Sequence, residues 1–235
     1  MSDQPDPIEV PPPVQPSILR ISSRTATILL LFTLVFTALM AATYFATRPA
    51  IEQSARVEKM KLIGEVLPHD LYDNDLLADD IVLPPIPALG LDDASTVYRA
   101  RKDGRPVALV AEAAAPDGYS GRIGLLLAVG ADGRLIAMRV NQHKETPGLG
   151  DYIDPHKDKN KAHPWIDQFD GRSLDEVKPE QWKVKKDGGV FDAHTGATIS
   201  ARAVTNASGR ALAWLSDHRD KLFQLPAGGR LETTP

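Results

Sequence analysis

An uncharged run over residues 25–46, rich in Leu, Ala, Thr and Phe, limits what this chain can fold into more than any other feature. As an α-helix, its residues would extend about 33 Å, which is enough to cross the hydrocarbon core of a bilayer. A cleavable signal peptide has a shorter apolar region and a small-residue cleavage site, and no convincing site precedes Arg48. The sequence therefore predicts an uncleaved transmembrane helix over residues 25–46.

The stretches on either side of this helix have a different composition. Residues 1–24 contain a cluster of prolines and little apolar surface, which predicts a disordered tail. Residues 47–94 begin with apolar residues at helical spacing, up to Leu67-Pro68, and then become acidic and Pro-rich. This pattern predicts a juxtamembrane helix followed by a connector. Residues 95–222 are expected to form the folded domain, and residues 223–235 a frayed C-terminal tail.

Short runs rich in Val, Leu, Ile and Ala indicate strands in that domain, at residues 95–101, 106–115, 123–129 and 134–141. Asp-Gly pairs separate them, and strands joined by Asp-Gly turns are typical of an antiparallel meander. A later run over residues 198–219 repeats alanine every four positions, which predicts an amphipathic helix packed on the sheet. The expected fold class is α+β, with one transmembrane helix ahead of an antiparallel sheet and packed helices.

The composition narrows the possible functions. The chain has no cysteine, which excludes disulfides, cysteine-ligated iron–sulfur clusters and thiol nucleophiles. Its net charge is −4 without a long run of Lys or Arg, so no nucleic-acid partner is expected. Any redox chemistry must therefore use a bound organic cofactor or a metal held by His and carboxylates. His143, His156 and His163 lack a known metal-ligand spacing, so no metal site is predicted.

Residues 192–198, with the sequence Asp-Ala-His-Thr-Gly-Ala-Thr, open the amphipathic helix. A hydroxyl at a helix start lies where backbone N–H groups and the helix dipole attract a phosphate, which suits a phosphate ester at Thr198. The structural alternative is an ordinary helix-start turn with Thr198 or Ser200 as N-cap. The pattern Asp-x-x-Ser/Thr-Gly-Ala-Thr resembles the flavinylation motif of the FMN-binding subunits of Rnf complexes and Na⁺-translocating NADH:quinone reductases.

A second stretch, Glu-Thr-Pro-Gly-Leu-Gly at residues 145–150, resembles the loop that lines the flavin in the same families. Pro147 stiffens such a loop, its glycines let the backbone approach a flat ring, and Leu149 offers an apolar face. The alternative is an ordinary Pro-Gly turn between strands. Residues 182–186 are expected to form a basic strand that includes Lys185. On this strand, Lys185 is expected to face the flavin phosphate or a flavin carbonyl. The alternative is that the strand is a solvated basic surface.

The resemblance to the G subunit of the Rnf complex covers most of the chain, and the longer C subunit of the quinone reductase is the second match. It implies that a flavin transferase moves FMN from FAD onto Thr198, with release of AMP. Asp192 would position the segment or accept the hydroxyl proton, or it is only a helix N-terminal charge. The other implied cofactor-binding residues are Thr195, Gly196, Ala197, Ser200, Glu145, Thr146, Gly148, Leu149 and Lys185. His194 departs from the family, which often has an apolar or small residue there.

The implied function is electron transfer through one covalent FMN, without complete catalytic activity in the isolated subunit. Implied partners are the Rnf subunits A, B, C, D and E, which couple ferredoxin and NAD to ion movement across the membrane. Cations flank the helix on both sides, so their count does not decide its orientation. The resemblance implies an inner-membrane protein with a cytoplasmic N-terminus and a periplasmic FMN domain.

Two other functions remain open at this point. One is a membrane-anchored scaffold or binding protein in which both glycine-containing stretches are structural turns. The other is a hydrolase with Thr195, Thr198 or Ser200 as nucleophile, but no G-x-S-x-G elbow or base partner is recognisable.

Overall fold

The computed structural model describes residues 18–232, and the chain divides into two compact units, up to Ala55 and from Arg56 onward. Helix α1 spans Ile18–Gly64, with Pro49 inside it. Among the described residues it is the one helix long and apolar enough to cross a membrane. The predicted transmembrane span lies within this helix.

The bounds of α1 correct two expectations. Residues 18–24, assigned to the disordered tail, are helical, while residues 1–17 lie outside the described residues. The juxtamembrane helix is not a separate element, and it ends at Gly64 instead of Leu67-Pro68. Adding a residue to an existing helix costs little free energy compared with nucleating a new helix. Because no Pro or Gly interrupts residues 18–24, the helix extends through them.

The domain is built on a six-stranded sheet with the order β5-β4-β3-β2-β1-β6. Strands β1 to β5 pair antiparallel with their sequence neighbours, whereas β6 pairs parallel with β1. The expected α+β class with an antiparallel sheet is confirmed. The strands are β1 Asp80–Leu83, β2 Ser95–Lys102, β3 Arg105–Gly118, β4 Gly121–Gly130, β5 Leu135–Gln142 and β6 Gly229–Arg230.

Two of these strands lie in segments predicted to be irregular. Strand β1 belongs to the expected connector, and β6 to the expected C-terminal tail, where Leu231 is also buried. Strands this short carry too few residues for a recognisable alternation, so their pairing is set by the neighbouring sheet edge. The turn between β3 and β4 is likewise at Tyr119 and Ser120, because Gly118 still pairs with Gly121.

Each face of the sheet buries its own apolar cluster. Helix α2, Thr198–Gln224, packs on β3 and β4 through its buried alanine stripe, as predicted. The opposite face is covered by Ile63, Val66 and Leu67 from the end of α1 and the turn after it. A stripe of small side chains lets the backbone of α2 approach the sheet closely, which places its first turn beside the β3–β4 turn region.

Arg99 on β2 holds the far end of α2. Its side chain is 2% exposed, forms an ion pair with Asp79, and donates to the carbonyl oxygen of Leu222 at 2.9 Å and to that of Leu225 at 2.5 Å. Carbonyl groups in the last turn of a helix have no intrahelical partner, and a cation there also interacts favourably with the helix dipole. The C-terminal end of α2 is thereby fixed to the sheet.

Candidate functional site

Residues 192–198, which we call the acceptor segment, lead from the buried Phe191 into α2. Ala197 is the N-cap residue and makes no side-chain capping bond, so Thr198 is the first helical residue. The N-cap alternative for Thr198 or Ser200 is therefore wrong. Thr198 is partly buried, and within residues 18–232 its hydroxyl has no hydrogen-bond partner. A free hydroxyl thus lies beside the unpaired N–H groups of a helix start.

The acceptor segment turns sharply just before the helix. The Ala197 N–H donates to the His194 carbonyl oxygen at 3.1 Å, and Gly196 has a φ of +89°. This left-handed conformation is one that glycine adopts without a steric penalty, which explains the glycine at this position.

The loop over residues 145–150 is tied to the first turn of α2. Glu145 is 4% exposed, and its carboxyl accepts hydrogen bonds from Ser200 Oγ and, at 3.0 Å, from the Ser120 N–H. A Cβ atom at Gly150 would lie 2.6 Å from Ser200 Oγ and 2.8 Å from Glu145 Oε2. The bond between loop and helix therefore depends on the absence of a side chain at Gly150.

An open cleft of about 270 Å³ lies between these stretches. Its apolar rim is exposed, with Tyr119 at 67%, Leu149 at 57% and Ile199 at 44%. The cleft is slightly below the usual range for small-molecule sites of roughly 300–1,000 Å³. Apolar rim and helix start together fit a flat cofactor that ends in a phosphate and lies partly exposed. The lining residues are Tyr119, Glu145, Thr146, Leu149, Gly150, Gly196, Ala197, Ile199 and Ser200.

Comparison with known proteins assigns the chain to a family. A model of the RnfG N-terminal region matches residues 18–66, and one of the FMN-binding domain matches residues 118–213. The G subunit of the ion-translocating oxidoreductase complex of Pseudomonas aeruginosa (strain UCBPP-PA14) is 42% identical over 200 residues, 85% of this chain and 91% of the relative. The chain belongs to the G-subunit family of ion-translocating oxidoreductase complexes.

Two further members of the G-subunit family support this assignment. The protein of Shewanella baltica (strain OS223) is 40% identical over 85% of this chain and 92% of its own length. The protein of Vibrio atlanticus (strain LGP32) is 35% identical over 89% of this chain and 97% of its own length. The chain is thus a redox subunit with an FMN-binding domain and an apolar helix suited to membrane anchoring.

The FMN-binding domain brings together most of the residues predicted for the site. Thr198, Thr195 and Gly148 are not among the residues that line the cleft, but Thr198 stands in the chain between two that do, Ala197 and Ile199. Gly148 instead borders a separate cavity of about 80 Å³. Six predicted residues line the cleft: Glu145, Thr146, Leu149, Gly196, Ala197 and Ser200.

Asp192 and Lys185 lie away from the cleft lining in this member of the G-subunit family. Lys185 Nζ is 2.7 Å from Asp192 Oδ1, and both side chains are exposed. The basic strand expected over residues 182–186 is wrong, because Lys185–Asp187 is a 3₁₀-helix and Val184 forms only an isolated bridge with Phe191. Lys185 is therefore the ionic partner of Asp192.

Two residues of the cleft, Tyr119 and Ile199, were missed by the sequence reasoning, while Gly150 belongs to the predicted loop over residues 145–150. Ile199 directly follows Thr198, so the motif over residues 192–198 could have indicated it. For Tyr119, the one indication in the sequence was the nearby Asp-Gly pair at residues 117–118, which predicted the turn two residues too early. In the described part of the chain, no three His, Asp or Glu residues are grouped to hold a metal ion.

Proposed function

We propose that this chain is a single-pass membrane electron carrier that holds FMN covalently, as a phosphate ester on Thr198 Oγ1. One observation carries the proposal. Thr198 presents a hydroxyl at the first position of α2, beside a cleft formed by both stretches that resemble flavin-binding motifs. The N–H groups of this helix start and its dipole favour a phosphate at the same place.

The residues of the cleft have separate tasks in this proposal. Tyr119, Leu149 and Ile199 would contact the ring, and the first N–H groups of α2 would hold the phosphate. FMN, when bound, supplies one- and two-electron transfer. Both oxygens of Glu145 already have partners within the protein, so the hydroxyls of Thr146 and Tyr119 are the polar side-chain groups of the lining left for the cofactor.

The covalent link would be made by a flavin transferase that uses FAD. The Thr198 oxygen bonds to the FMN phosphorus, the bond from that phosphorus to the AMP phosphate oxygen breaks, and AMP leaves. The hydroxyl proton passes to a base. Asp192 is exposed and would position the acceptor segment in the transferase or accept this proton.

We further propose an Rnf-type assembly with subunits A, B, C, D and E, in which ferredoxin and NAD exchange electrons and ions cross the membrane. The G-subunit relatives support this assembly over the alternative of a quinone reductase C subunit. Residues 25–46 would span the inner membrane, with the N-terminus cytoplasmic and the FMN domain periplasmic.

The full chain, coexpressed with a flavin transferase, tests the covalent link. We expect yellow fluorescence that stays with the polypeptide band after denaturation in SDS, and an intact mass increased by one esterified FMN. The same chain expressed without the transferase should be colourless. A bare polypeptide mass after coexpression would contradict the proposal and favour the scaffold alternative.

A further inference from the structure

Side chains outside both motifs hold the backbone of the acceptor segment at its start. The indole N–H of Trp165 donates to the Asp192 carbonyl oxygen at 2.6 Å. Gln168 Oε1 accepts a hydrogen bond from the Asp192 N–H at 2.7 Å, and Gln168 Nε2 lies 3.5 Å from the Asp192 carbonyl oxygen. The backbone N–H and the carbonyl oxygen of Asp192 are thus both bound by side chains of a single 3₁₀-helix, Trp165–Phe169.

The other end of the segment is held by Tyr152. Its hydroxyl accepts the His194 N–H at 3.1 Å and donates to the Ala197 carbonyl oxygen at 3.3 Å, so it bridges the turn before Thr198. Its ring stacks on His194, with centroids 3.8 Å apart. Burial raises the pKa of Tyr152, although the His194 N–H lowers it, so the hydroxyl remains a donor at neutral pH.

These contacts connect the acceptor segment with the cleft. Tyr152 belongs to the 3₁₀-helix Gly150–Ile153, which directly continues the loop over residues 145–150. Tyr152 and Trp165 are 5% and 6% exposed and meet edge to face, with ring centroids 5.4 Å apart. Two of the side chains that hold the segment, Tyr152 and Trp165, are therefore packed in the core directly after the loop that lines the cleft.

We propose that Tyr152, Trp165 and Gln168, together called the acceptor clamp, are positioning residues that fix the orientation of a flavin attached to Thr198. This inference rests on the proposed function. No hydrogen bond of the clamp involves the Thr198 side chain, so each clamp residue can be changed without removing a bond to the acceptor hydroxyl. Single bonds between Thr198 and the ring would rotate, so the ring keeps one orientation only if its attachment point and the cleft that receives it are held in fixed positions relative to each other.

The test compares full-length, flavin-loaded variants in detergent by time-resolved fluorescence anisotropy of the flavin. Tyr152→Phe removes the bridging hydroxyl but keeps the ring, and Gln168→Leu removes both amide contacts with Asp192. We expect both variants to carry FMN like the wild type, with at least a twofold larger amplitude of fast local flavin motion. Gln168→Glu keeps an oxygen for the Asp192 N–H and should restore most of the wild-type anisotropy.

Tyr72→Phe is the matched control, since the Tyr72 hydroxyl is bonded to His69 Nδ1 at 2.7 Å, outside the cleft. It should leave the flavin anisotropy unchanged. Unchanged anisotropy in loaded Tyr152→Phe would overturn the clamp, and so would an equal change in Tyr72→Phe. If Gln168→Leu does not fold, Tyr152→Phe decides alone. A wild-type chain without covalent FMN would instead contradict the proposed function, which separates the two failures.

Discussion

The hydroxyl of Ser200 donates a hydrogen bond to the carboxyl of Glu145, which lies 55 positions earlier in the chain. Both side chains are buried, at 1% and 4% exposure. The second oxygen of Glu145 accepts the Ser120 N–H at 3.0 Å. A buried carboxyl is costly unless its oxygens have partners, so these two bonds join the helix start, the cleft loop and the β3–β4 turn into one unit.

Loss of the Ser200 hydroxyl should therefore weaken the fold. We expect Ser200→Ala to lower the free energy of unfolding by about 1–3 kcal/mol, because a buried carboxyl oxygen loses its partner. Denaturant unfolding of the full chain in detergent, followed by tryptophan fluorescence, measures this change. The matched control is Ser216→Ala on the same helix, whose buried hydroxyl has no partner in residues 18–232. It should be nearly neutral, and equal losses in both variants would contradict the assigned role of Ser200.

The identity of the flavin acceptor can be tested by substitutions that keep or remove one hydroxyl. Thr198→Val should abolish the fluorescence of the denatured polypeptide band with little change in stability, because the Thr198 hydroxyl has no partner within the described residues. Thr198→Ser keeps a hydroxyl and should keep the flavin. The exposed Thr195 provides the control, since Thr195→Val should remain labelled. A labelled Thr198→Val chain would move the attachment to another hydroxyl.

Arg99 should be one of the most sensitive polar residues of the domain. Arg99→Met leaves the carbonyl oxygens of Leu222 and Leu225 without their buried donor, while Asp79 keeps its ion pair with Arg101, so the expected cost is about 1–3 kcal/mol. Arg122 is a suitable comparison because its ion pair with Asp92, at 3.1 Å, lies at the surface. The side chain of Arg122 is 45% exposed and that of Asp92 is 93% exposed. Arg122→Met should cost less than about 1 kcal/mol. Similar unfolding midpoints for the two variants would contradict the anchoring of α2 by Arg99.

The stability of the domain should depend on pH through Asp170. Burial raises the pKa of Asp170 to about 6 from 3.8, against the opposing effects of Arg139 and the Met138 N–H. The folded state therefore binds this proton more tightly than the unfolded state, and the contribution of Asp170 becomes less favourable as the pH rises from about 4 to about 6. Above pH 6 the buried anion carries its full cost.

Asp170→Asn removes this cost and should stabilise the chain at neutral pH. We expect a gain of at most about 1 kcal/mol, because the side chain is one-third exposed and solvent screens it. The gain should shrink towards zero near pH 4, where the wild-type carboxyl is protonated in the folded state. Thermal unfolding of both proteins between pH 4 and 7.5 measures it, and a difference that does not vary with pH would contradict the mechanism.

Much of the fold is predictable from local sequence patterns. The transmembrane span follows from an uninterrupted apolar run, and strands β2 to β5 from apolar runs separated by turn residues. The alanine stripe of α2 has helical spacing and is buried as predicted. In contrast, β1 and β6 are too short to show a pattern, and Lys185 was assigned to a strand from an alternation that the Gly188-Gly189 turn overrides.

The sequence by itself determined the type of site: a hydroxyl at the start of a long helix, and a loop of proline, glycine and leucine that suits a flat ring. Both properties depend on residues that are adjacent in the chain. Only the tertiary structure decided that Ser200 meets Glu145, that Lys185 pairs with Asp192, and that the acceptor clamp holds the backbone before Thr198. Lys185 and Asp192 are seven positions apart and meet across the Gly188-Gly189 turn, whereas the other contacts join residues at least 24 positions apart. The distances of those long-range contacts follow from how α2 and the loops pack on the sheet, which no local spacing encodes.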